Sequence, residues 1–159
     1  MKTTKQWFDE YGVSHQNGTN KTIHFICVPA IMFSLLGLLS AIPDHYFQSW
    51  VSEMWQPYLG WHTFLVVFAL IFYFRLSTSL GLGMLVISAL WLYIIKWMNM
   101  QDLPVGWVSF GIFAAAWIGQ FIGHKIEGQK PSFFQDVQFL LIGPIWILGF
   151  IYKKWNINY

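Results

Sequence analysis

The sequence predicts an all-α integral membrane bundle of four to five hydrophobic helices, preceded by a short interfacial helix at the N-terminus. Three observations carry this. Of 159 residues, 56% are hydrophobic and only 10% charged, against roughly a quarter charged in an average soluble domain. Aromatic side chains make up 20% of the chain, which suits rings placed at headgroup level and in a greasy helical interior. The apolar residues also fall into separate runs of roughly 14 to 20, at or a little below the length a hydrocarbon layer requires. A chain of this length is one domain, residues 1–159. The net charge of +2 and the lack of a basic run argue against a nucleic-acid partner. The single cysteine, Cys27, excludes a disulfide framework and a cysteine-based metal site, and reads as a small buried hydrophobe.

Taken in order, residues Met1 to Tyr11 are polar with Trp7, Phe8 and Tyr11 on one helical face, the pattern of a short helix lying at the interface. Asn17-Gly18 is a turn signal, and Thr19 or Asn20 is expected to cap the next helix. No cleavable signal peptide is expected, because the first apolar run begins only after Lys21. That run, Ile23 to Ile42, carries Pro29, which should kink it near its start. Pro43 to Gly60 is an acidic, Trp-containing connection, and Trp61 to Phe74 a short second span ending at Arg75. Ser77-Thr78-Ser79 turns the chain into a third span, Leu80 to Ile95, where Gly81 and Gly83 allow close packing. A fourth span covers Val105 to Gly123. The last run, Val137 to Tyr152, is interrupted by Gly143-Pro144 and reads as a re-entrant or interfacial hairpin, since a fifth crossing would leave Lys153 and Lys154 on the wrong side. With the N-terminus cytoplasmic, Lys2, Lys5, Lys21, Arg75, Lys125 and Lys130 all lie inside.

The stretch from Gly119 to Pro131 is where an apolar helix turns polar, with Gln120, His124 and Glu127 on one stripe. Four spans separate it from the segment carrying His15 and His24, so both emerge on the same membrane face. The turn at Asn17-Gly18 lets His15 and His24 converge, whereas on one continuous helix they would point about 180° apart. His15, His24, His124 and Glu127 therefore make a candidate nitrogen/oxygen metal site, suited to iron, zinc or manganese. A facial arrangement with open positions would serve Fe(II) and oxygen, and the same set would serve zinc hydrolysis. Asn20, Gln120 and Gln138 are candidates to orient ligand histidines. Lys21, Arg75 and Lys125 share that face and are candidates for binding a substrate carboxylate, although the orientation rule alone would put them there. His45 and His62 fall on the opposite face and read as solvated or interfacial.

Tyr11-x-x-x-His15, Asn20-x-x-x-His24-x-x-x-x-Pro29, and Trp117-x-x-Gln120-Phe121-x-Gly123-His124-x-x-Glu127-Gly128-x-x-Pro131 together resemble the family of the fungal 2-hydroxy-palmitic acid dioxygenase. The tail Asp136-x-Gln138-x-Leu140-x-x-x-Pro144 is similar as well. The resemblance implies an Fe(II)-dependent enzyme that uses O2 to shorten a 2-hydroxy fatty acid by one carbon, with His15, His24 and His124 as ligands and Glu127 as the matching acid. The compact chain looks like a bacterial branch, which implies an inner membrane with the histidines on its cytoplasmic face and lipid as its surroundings. Two other readings stand beside it: an electron carrier with haem between two histidines such as His24 and His124, and a non-catalytic scaffold whose polar cluster joins helices.

Overall fold

In a computed structural model, which describes residues 2–128 and 139–159, every regular element is helical. Helix α1 (Thr4–Gly12) opens with a capping box, in which Gln6 N–H donates to Thr3 Oγ1 at 3.2 Å and Thr3 N–H donates to Gln6 Oε1 at 2.8 Å. Lys5 and Asp9 pair one turn apart along its exposed side at 2.5 Å. This helix is docked rather than afloat. Trp7 meets Phe72 and Phe139 edge-on, and the Thr4 hydroxyl donates to the Leu76 carbonyl at 3.3 Å.

Helix α2 (Gly18–Ser40) starts two or three residues earlier than a cap at Thr19 or Asn20 would set it: Asn17 is the cap, its side chain accepting from the N–H groups of Thr19 and Asn20. Pro29 sits inside it without ending it. A four-residue helix α3 (His45–Gln48) and a short 3-10 turn (Gln56–Tyr58) interrupt the connection that follows. Helices α4 (Trp61–Leu76), α5 (Thr78–Met100) and α6 (Val105–Glu127) follow, and α2, α5 and α6 are long and apolar enough to cross a membrane. At 23 residues each, α2, α5 and α6 are about 35 Å long and exceed a hydrocarbon core of about 30 Å. The 16 residues of α4 reach only about 24 Å, which suits a thinned bilayer around that side. Large apolar side chains such as Phe68, Val86 and Ile118 stay exposed on the outside of these helices, as they must where lipid is the solvent.

Helix α7 (Ile142–Lys154) is where the structure differs most from the sequence pattern. Gly143-Pro144 lies in its first turn, where proline's missing N–H had no intrahelical partner to lose, so the pair starts a helix instead of breaking one. Residues 137–138 fall outside the described part of the chain. From Gly143, beside Val28 and Tyr11, α7 runs back to the end of the bundle that carries α1: Tyr152 donates to the Ser79 carbonyl at 2.8 Å, and Tyr159 packs on Phe8 at 5.8 Å. The chain therefore enters and leaves at one end, as the lysines at 153 and 154 require.

The two helices that carry the candidate site, α2 and α6, make the most extensive pairing in the molecule. Small residues permit it. A Cβ on Gly106 would meet Ala41 at 3.1 Å, one on Gly119 would meet Cys27 Sγ at 2.6 Å, and one on Gly123 would strike Asn20 Oδ1. Gly119→Val is expected to cost about 1–3 kcal/mol through overpacking. Thermal unfolding in detergent checks this, and adding Cys27→Ala should recover part of the loss.

Candidate metal centre

His15 lies in the loop between α1 and α2, His24 in the second turn of α2, and His124 in the last turn of α6. The antiparallel α2/α6 pair brings the last two side by side, and the Asn17 turn folds His15 back over them. One ligand-capable atom from each imidazole lies within 4.8 Å of the other two. Ring centroids are 4.2 Å apart for His15 and His24, 5.1 Å for His24 and His124, and 5.7 Å for His15 and His124. All three are buried, at 2%, 1% and 5% exposure, which is rare for histidine without a specific reason.

Backbone carbonyls fix two of the rings. His15 Nδ1 lies 2.6 Å from the Tyr11 carbonyl and His24 Nδ1 lies 3.0 Å from the Asn20 carbonyl. A carbonyl can only accept, so Nδ1 carries the proton and the lone pair sits on Nε2, the tautomer of a metal-binding imidazole. Tyr11 also stacks its ring on His15 at 4.2 Å, and the Trp146 indole, from α7, packs beside both rings, 5.4 Å from His15 and 5.1 Å from Tyr11. This donor set fits a divalent transition metal: three buried imidazoles, two of them held in orientation by backbone carbonyls. It does not suit haem. A third imidazole 4.2 Å from His24 occupies the space a porphyrin between His24 and His124 would need.

Glu127, the expected fourth ligand, makes hydrogen bonds in this structure. Its carboxylate stands outside the 4.8 Å group and accepts hydrogen bonds from Gln16 N–H at 2.7 Å, Asn17 N–H at 2.9 Å and Asn20 Nδ2 at 2.9 Å. It thus caps the loop and the start of α2, where a negative charge also opposes the helix dipole. Asn20, fully buried, links the parts: its amide donates to the Ser14 carbonyl at 3.0 Å and to Glu127, while its own carbonyl holds His24. Gly128 closes α6 in the left-handed region at φ 75°, directing its N–H to the His124 and Lys125 carbonyls.

Of the remaining expected residues, Gln120 is buried one turn before His124. Lys21 is half-buried, and Arg75 and Lys125 are exposed, all three at this end of the bundle. Gln138 lies outside the described residues. His45 is exposed at the opposite end as expected, but His62, also there, is 4% exposed and packed beside Asp44 over Gly60. Trp146 escaped the sequence reading altogether, because nothing in an apolar run distinguishes the aromatic that will face a histidine.

The family model for 2-hydroxy-palmitic acid dioxygenase Mpo1-like proteins matches residues 1–155. The chain belongs to this Mpo1-like family. The match spans every element described above, α1 and α7 included, so the histidine cluster and its Trp146 wall both lie within the family's extent. The family name points to a dioxygenase acting on a 2-hydroxy fatty acid. No curated protein and no solved structure matches the chain.

Proposed function

We propose that this Mpo1-like protein is an Fe(II)-dependent dioxygenase that shortens 2-hydroxy fatty acids by one carbon at the membrane, with its centre on the cytoplasmic face. The observation that carries the reading is the burial of three imidazoles from distant segments within 4.8 Å of one another, in a family named for that activity. His15, His24 and His124 would hold the metal. Bound there, Fe(II) would supply Lewis acidity and electron transfer while leaving positions open for the hydroxyl and carboxylate of the acid and for dioxygen.

The chain's own groups do the rest. Tyr11 and Asn20 hold the His15 and His24 imidazoles in one tautomer; Glu127 and Asn20 fix the loop that carries His15; Trp146 and the α2/α6 seam keep bulk water away. Lys21, Lys125 and Arg75 on the rim would draw the carboxylate to the site. An apolar groove of about 240 Å³, between Phe25 and Pro29 of α2, Met84 and Trp91 of α5, and Pro144 and Leu148 of α7, would take the acyl chain. Phe25 follows His24 and contacts Trp146 at 6.1 Å, so the groove begins beside the centre.

The reaction balances without an outside reductant. A 2-hydroxy acid plus one O2 gives the acid one carbon shorter, CO2 and water, and the carbon–carbon cleavage supplies the electrons that dioxygen takes up. Metal analysis of detergent-purified protein is expected to find iron, and oxygen uptake should accompany formation of the shortened acid. Zinc in place of iron, with no oxygen consumed, would move the site to the hydrolytic chemistry that a three-histidine set also supports.

A further inference from the structure

A small cavity lies directly beneath the three imidazoles, on their membrane side. Val28, one turn beyond His24 on α2, and Gln120, one turn before His124 on α6, form two of its walls. Tyr11, whose ring stacks on His15, forms a third, and Ile31, Trp117, Phe139, Leu140 and Gly143 complete it. Each imidazole thus has the cavity at its next neighbour. The volume is about 30 Å³, room for one or two molecules of water's size and far too little for an acyl chain. Hydrocarbon and aromatic surface dominates the lining, with Gln120 and the Tyr11 hydroxyl as its polar exceptions, and mostly apolar spaces of that kind take up apolar gases. Bilayer hydrocarbon is also where an apolar gas prefers to reside.

We propose that this cavity is a holding site for dioxygen, which reaches the centre from the membrane interior while the fatty acid uses the separate groove beside Phe25. The inference rests on the oxygenase reading, and its test separates the two. Xenon serves as the probe on the full-length protein in detergent, followed by xenon NMR. Wild-type protein should bind xenon in a saturable way, and Val28→Phe, which fills the space, should abolish this. The same variant should raise the KM for O2 by about tenfold while metal content and the KM for a 2-hydroxy acid stay unchanged. If Val28→Phe fails to fold, Val28→Leu fills less and should shift both readouts in the same direction. An oxygen-consuming wild-type protein whose cavity holds ordered water and no xenon, or whose KM for O2 ignores the filling, overturns the holding site alone. A wild-type protein that consumes no oxygen removes both readings.

Discussion

Replacing His24 by alanine is expected to strip the protein of its metal and to abolish chain shortening. His24 is 1% exposed, and its ring forms a compact triangle with those of His15 and His124, at 4.2 and 5.1 Å. The loss in metal affinity should exceed about 100-fold, the upper end of what removing a mere hydrogen-bond partner of a ligand costs. His15→Ala and His124→Ala should behave alike, because the three act as one donor set. Metal content and the thermal stability of the metal-free variants, measured together, separate this from a scaffold role. A cluster that only glues helices would lower the melting temperature of each variant and leave no metal to lose.

Glu127→Ala is the second large effect, of a different kind. The carboxylate accepts from two backbone N–H groups and from the Asn20 amide. Hydrogen bonds to a charged acceptor contribute about 1.5–3 kcal/mol each, and their losses are not additive. A total of about 2–4 kcal/mol is expected from the metal-free protein, together with a drop of about 10–100-fold in metal affinity through the loosened His15 loop. Glu127→Gln keeps an acceptor oxygen and should fall between. Were Glu127 bound to the metal, both substitutions would instead spare the metal-free protein's stability and alter the spectrum of a bound cobalt probe.

The histidine convergence was readable from parity. Four apolar runs between His24 and His124 return the chain to its starting face, and Asn17-Gly18 supplies the turn that reverses His15. The role of Glu127 was not readable in the same way. Spacing along α6 puts it on the His124 stripe, but spacing says nothing about competing partners, and the unsatisfied N–H groups at the start of α2 take the carboxylate. Gly143-Pro144 misled for a related reason, since a proline has opposite meanings in the first turn of a helix and in its middle. His62 looked interfacial because the first residues of a span usually are, yet the fold of residues 44–60 covers it.

The return of α7 to the end where the chain began bears on biogenesis. The indole beside His15 and the third imidazole both follow the first three spans in the chain, so a nascent chain with only its first span inserted offers a passing ion no more than a pair of weakly organised nitrogens. On the proposed reading, loading therefore waits until α6 and α7 have been made and packed, and the folded protein should be a stable vessel before it is a filled one. Cells starved of the metal are then expected to accumulate intact protein ready for charging rather than degraded fragments.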